Sequence, residues 1–191
     1  MVVTPSAASP STTQIQARLL DPDDPFTVTP LPPLGGIGKG SVDLSVGRTF
    51  LVAVRASVAS VRADAPGESS RLFTEIRRSG DDALIIQPRQ FVLAATLEYL
   101  RMPSDLCGFI QSRSTYGRLG LIAATATYVT AGFHGCPTLE IANVGEVPVE
   151  VRPGDPICQL VLFSAAEDPN TMSPSRYQCS TRPYPARIEI K

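Results

Sequence analysis

The strongest constraint on this chain is its punctuation. Eighteen prolines and fourteen glycines cut 191 residues into short pieces. Proline removes a backbone donor and glycine favours turns, so little of the chain can form long helices or long unbroken strands. Between the breaks lie runs rich in Val, Ile, Leu, Thr and Phe. Short β-prone runs bounded by turn residues predict a mostly β domain, a barrel or a sandwich. Residues 41–54 alternate clearly, with Val42, Leu44 and Val46 on one parity and Asp43, Ser45 and Gly47 on the other, the period of a half-buried strand. Further strands are expected at 83–87, 90–100, 107–111, 119–129, 136–142, 147–151 and 156–163. Residues 27–34 read as proline-rich and extended, and 63–82 as a polar surface excursion. The sole early helix expected is 14–20, where Ile15 and Leu19 share a face and Asp21-Pro22 ends it.

The length suits one domain rather than two. A formal net charge of -1 argues against a nucleic-acid clamp, though not against a local basic pocket for one triphosphate. No stretch reaches the roughly 18 apolar residues of a membrane helix. The start, MVVTPSAASPSTTQ, has neither a basic nor an apolar region of the secretory kind, so residues 1–14 are expected to be a flexible leader in a cytoplasmic protein. Cys107, Cys136, Cys158 and Cys179 form no CxxC pair, and reduced thiols are expected. His134 is the single histidine, too few for a usual catalytic zinc site, and reads as a loop residue. The tail after Ala165 loses periodicity and reads as a lid, an arm or a disordered end.

Three segments concentrate chemistry: GFIQSRSTYGRLGL (108–121), AGFHGCPTLEIAN (131–143) and VRPGDPICQLVLF (151–163). In the first, Arg113, Ser114, Thr115 and Arg118 place two guanidinium forks and two hydroxyls within six residues, a set suited to phosphate oxygens or simply to a solvated turn. In the second, strand alternation sets Glu140 opposite Leu139 and Ile141. If those two face the core, Glu140 faces a cavity or solvent. In the third, Arg152-Pro153-Gly154-Asp155 has type II turn chemistry and Gln159 follows on a strand.

In this order the motifs RSxxxRLGL, GFxGxxTLEIxN and xPGDxIxQLxxF resemble the dCTP deaminase branch of the dUTPase superfamily. SVDLSVGRTF (41–50) is similar to that family's early strand motif, and Arg176-Tyr177-Gln178 to the start of its C-terminal lid motif. The resemblance covers roughly residues 15–187. It implies a distorted jelly-roll β-barrel of the dUTPase-like type with a few short helices, assembled as a homotrimer with clefts between subunits as active sites. The barrel domain would span 15–165, and 166–191 would form the lid or arm. Glu140 would activate the water that attacks C4 of a cytosine nucleotide, beside Ser114 and Arg118. Arg113, Thr115 and Gln159 would hold the triphosphate, Thr125, Ala126 and Thr130 would lie around base and sugar, and Arg176 and Tyr177 would close the lid. No metal is implied for the chemistry, Mg2+ entering only with the triphosphate, and neither membrane nor nucleic-acid polymer is an expected partner.

One departure bears on the reaction. Thr130-Ala131-Gly132 stands where the superfamily carries Asp-Pro-Gly. That carboxylate helps to activate the hydrolytic water in dUTPases, and threonine cannot serve as a base. The expectation is therefore dCTP to dUTP plus ammonia, without efficient triphosphate hydrolysis. A non-catalytic nucleotide-binding or regulatory member of the fold, or a dUTPase, are the alternatives.

Overall fold

The computed structural model describes residues 9–33, 35–55, 57–62, 69–123, 128–165 and 177–186. Helix α1 (Thr12–Leu19) begins at a capping box. The Ser11 side chain accepts the Gln14 N–H, and the Gln14 side chain accepts the Ser11 N–H. That box sets the helix start two residues before the expected one, inside the stretch read as leader. Ile15 is wholly buried and Leu19 packs beside it.

Strands β1 (Thr27–Thr29), β2 (Ser41–Ala53), β3 (Phe73–Arg77), β4 (Leu84–Ile86), β5 (Phe91–Thr96), β6 (Tyr99–Arg101) and β7 (Leu106–Ser112) lead to a short helix, α2 (Ser114–Arg118). Then come β8 (Leu121–Ala123), β9 (Tyr128–Val129), β10 (His134–Gly135), β11 (Thr138–Asn143), β12 (Val149–Val151) and β13 (Pro156–Ser164). The main sheet runs β8-β11-β5-β2-β13-β7-β9, with β3 also on β2. Its curl comes from β2. The first half of β2 pairs with β13, Asp43 opposite Gln159, while its second half pairs with β5 and β3, Phe50 opposite Ala94. Register slips between Val46 and Phe50 where the strand passes from one set of partners to the other. Two small sheets, β1-β6-β10 and β12-β4, complete the jelly roll. One core fills it, built on Phe26, Leu44, Phe50, Leu100, Ile141 and Leu160.

Three strand expectations need correction. Residues 90–100 form two strands, β5 and β6, because Glu98 is buried at their junction and its carboxylate accepts the Ser45 N–H at 2.8 Å. Residues 119–129 likewise hold β8 and β9, with 124–127 outside the described residues. The surface excursion read at 63–82 contains β3, whose Phe73 and Ile76 are half-buried against the sheet. The Pro153-Gly154 turn is as expected: Gly154 has φ 91°, and the Asp155 N–H donates to the Arg152 carbonyl at 3.0 Å. All four cysteines are free thiols, three of them buried. No helix among the described residues is long and apolar enough to cross a membrane.

Asn143 ends β11 and is 1% exposed. Its amide donates to the Ile86 and Val147 carbonyls, each at 2.8 Å, and its Oδ1 accepts the Gly145 N–H at 2.9 Å. Removing the side chain orphans three backbone groups at once. Asn143→Ala is expected to cost about 2–4 kcal/mol in denaturant unfolding, and a loss below about 0.5 kcal/mol would contradict this bonding.

Candidate active site

β11 sits between β5 and β8, so its two faces have different fates. Leu139, Ile141 and Asn143 are buried, while Thr138, Glu140 and Ala142 lie on the other face and are half-buried. Glu140 stands opposite Leu93 of β5. Both line a cavity of about 570 Å³. Its wall is aromatic: Phe73, Phe91, Tyr128, Phe133, Tyr177 and Tyr184 all contribute. Thr130 and Thr138 supply hydroxyls, and Glu140 is the only carboxylate among the described residues of the lining. Burial pushes the Glu140 carboxyl above its ordinary value of 4.5.

The loop after β9 holds Thr130 in place. The Phe133 N–H closes back on the Thr130 carbonyl at 3.2 Å, with Gly132 at φ 69° between them. The tail then packs over this loop. The Cys179 N–H donates to the His134 carbonyl, and the Cys136 N–H to the Ser180 carbonyl. The Gln178 amide donates to the Gly132 carbonyl at 2.9 Å and lies 2.7 Å from His134 Nδ1. These bonds bring Tyr177 to the cavity. They also correct the reading of His134, which pairs with β6 as part of β10 and anchors the tail.

The expected phosphate residues gather elsewhere. Arg113 occupies the N-cap position of α2 without a side-chain capping bond, and its Nη1 donates to Asp43 Oδ2 at 2.5 Å. Ser114, Thr115 and Arg118 are exposed on α2. Gln159 is half-buried on β13, flanked in register by Asp43 of β2 and Gln111 of β7. None of these side chains lines the cavity of Glu140, so one chain carries two separate groups of candidate residues. Thr125, Ala126 and Arg176 lie outside the described residues. Sequence reasoning missed Phe73, Phe91 and Tyr184 as cavity walls, since each arrives from a segment remote from the motifs. Among the described residues no group of three or more His, Cys, Asp or Glu side chains could hold a metal ion.

Residues 11–165 match the family described as dCTP deaminase-like. A protein of Sulfurihydrogenibium sp. named "dCTP deaminase, dUMP-forming" is 42% identical over 132 residues, 69% of this chain and 71% of that protein. One of the same name from Halobacterium salinarum is 37% identical over 180 residues, 91% of each chain. In the crystal structure of 2'-deoxycytidine 5'-triphosphate deaminase from Agrobacterium tumefaciens the fold recurs, with TM-score 0.62 and 22% identity. That match covers 81% of this chain and 47% of the longer Agrobacterium chain. A family match over most of the described barrel, joined to relatives of this identity and coverage, places the chain in the dCTP deaminase-like family.

Proposed function

We propose that this chain deaminates a cytosine deoxynucleotide, dCTP to dUTP plus ammonia, in a pocket that two copies of the chain complete. Membership of the family and the names of its relatives support the deamination itself. The observation that carries the mechanism is Glu140, a lone carboxylate in an aromatic-walled cavity. Burial raises this carboxyl, a shift in the direction that favours proton uptake by a general acid–base group. Glu140 removes a proton from water as the oxygen bonds to C4 of cytosine. It delivers that proton to N3, then carries the second water proton to the amine. The C4–N bond breaks and ammonia leaves, so atoms and charge balance without a redox partner. No metal takes part at C4, and Mg2+ accompanies the triphosphate as its counterion.

Ser114 and Arg118 hold and polarise the water, and on this reading they come from a neighbouring copy in a homotrimer, because neither reaches Glu140's cavity in its own chain. Arg113, Thr115 and Gln159 bind the phosphates. Tyr177, with Arg176, closes over the nucleotide, while Thr125, Ala126 and Thr130 flank base and sugar.

A second reading, deamination followed by pyrophosphate release to dUMP, is favoured by the names of several relatives. Against it stands Thr130, which lines the cavity with a hydroxyl that cannot act as a base. With dCTP as substrate, ammonia without pyrophosphate is the expected product pattern. Equal release of both would establish the second reading, and release of neither would leave a nucleotide-binding protein.

Glu140→Gln is expected to lower kcat for ammonia release by at least about 100-fold while nucleotide binding persists. The same variant tests the buried carboxyl. The folded chain holds the Glu140 proton more tightly than the unfolded chain, so the stability this group contributes is present below pH 4.5 and lost as pH rises through the folded value. Glu140→Gln is therefore expected to be the more stable protein at neutral pH, with the gap closing on acidification. Unchanged ammonia release, or a Gln variant less stable at neutral pH, would count against Glu140.

A further inference from the structure

Residues 177–186 run along the Glu140 cavity, and Tyr177, Tyr184 and Ala186 all line it. The segment is tied down at both ends. At the far end the Ser69 hydroxyl donates to the Ala186 carbonyl at 2.9 Å. At the near end the ties converge on the stretch from Thr130 to Cys136, which itself brings Thr130, Phe133 and Cys136 to the cavity wall. There the Cys179 N–H donates to the His134 carbonyl at 2.8 Å, and the Cys136 N–H to the Ser180 carbonyl at 2.6 Å. A Cβ at Gly135 would stand 3.1 Å from both the N and the O of Ser180, closer than side chains ordinarily pack.

The side-chain tie at this end is Gln178, and the roles of its atoms follow from their partners. The Gly132 carbonyl only accepts, so the atom 2.9 Å from it is the amide nitrogen. The His134 backbone N–H only donates, and it meets Oε1 at 3.4 Å. The same amide nitrogen lies 2.7 Å from His134 Nδ1 and offers it a second N–H. Nδ1 is therefore the acceptor, in a neutral ring that carries its proton on Nε2. A protonated ring has a hydrogen on Nδ1 and sets donor against donor. Turning the amide over to meet it would put Oε1 against the Gly132 carbonyl and Nε2 against the His134 N–H. Only the neutral imidazole completes the set. The charged and titratable groups on the elements packed about His134 are Arg101, opposite it on β6 and paired with Asp24, Tyr99 on the same strand, Cys136, and on the tail Tyr177 and Cys179.

We propose that His134 and Gln178 are positioning residues for the deamination, a latch, closed while the imidazole is neutral, that keeps Tyr177 and the tail docked over the nucleotide. This rests on the reading of the tail as a lid made above. Neither side chain lines the cavity, so both act through the tail. Where only the docked form holds nucleotide, the apparent affinity falls in proportion to the docked fraction. Loss of the latch therefore raises KM and leaves the step at C4 alone.

The test uses the full-length protein with dCTP, following ammonia. Gln178→Ala and His134→Ala are each expected to raise KM about tenfold, the scale of one or two lost hydrogen bonds, with kcat within about twofold of wild type. The double variant is expected to be no worse than either single one. His134→Asn keeps a side-chain acceptor close to the backbone but takes up no proton, and is expected to retain the wild-type KM at about pH 7.5. On lowering the pH to about 5.5, through the range in which imidazoles titrate, the wild-type KM is expected to rise about tenfold relative to that of His134→Asn. Taking the ratio removes the titration of Glu140 and of the substrate. Tyr177→Ala, measured in parallel, separates the two claims. If it leaves KM unchanged, the reading of the tail as a lid fails and the latch with it. If Tyr177→Ala raises KM while Gln178→Ala and His134→Ala do not, or lower only the thermal midpoint, the latch alone is overturned. A KM ratio of wild type to His134→Asn that is independent of pH overturns it equally. If the wild type releases no ammonia, the deamination reading fails, and the Kd of dCTP replaces KM in the same comparison.

Discussion

Burial of two side chains decides where the chemistry faces. Leu139 and Ile141 are 1% and 0% exposed, inside the jelly roll, and β11 is held on both sides by β5 and β8. Each such burial is worth roughly 1.5–3 kcal/mol. A slip of one residue would expose both and drive Glu140 into the core, where an unpaired carboxylate costs several kcal/mol more. The orientation of Glu140 therefore follows from packing that has no chemical role. Asn143, at the end of the same strand, fastens it to the β4 and 144–147 segments through three hydrogen bonds.

Two groups of candidate residues lie apart in one chain. Around Glu140 the walls are aromatic and desolvation alone raises the carboxyl. Around α2 the groups are cationic and hydroxylic and face outward, with Arg113 held by Asp43. In the proposed assembly the neighbour's Arg118 approaches Glu140 and draws its carboxyl back toward the charged form, so burial and a fixed cation pull in opposite directions on one group. A base that must both take and return a proton is served by that balance.

The legible parts of the sequence were the locally determined ones. The strand read at 41–54 is β2 almost to the residue, although burial is continuous from Leu44 to Gly47 where alternation was expected, the Pro153-Gly154 turn follows from one glycine's backbone freedom, and Leu139-Glu140-Ile141 alternates as a strand must. The hidden parts are set by distant partners. β3 is short and largely exposed, and it is a strand because β2 offers it an edge. Glu98 breaks the expected single strand because Ser45, far back in the chain, holds its carboxylate. Phe73, Phe91 and Tyr184 meet around Glu140 only after the sheet has curled. Arg113 read as a phosphate ligand, and the fold adds that its guanidinium is already oriented by Asp43, a pairing that no local pattern announces.

The central claim is that Glu140 and Arg118 work together from different subunits, and complementation tests it directly. Glu140→Gln and Arg118→Ala proteins, each inactive alone, are unfolded, mixed in equal amounts and refolded together. Random assembly of a trimer with one site per interface regenerates an intact pair at about a quarter of the sites, so roughly a quarter of wild-type ammonia release is expected. A mixture as inactive as its components, with subunit exchange verified, would mean that both residues serve the same chain and would contradict the account.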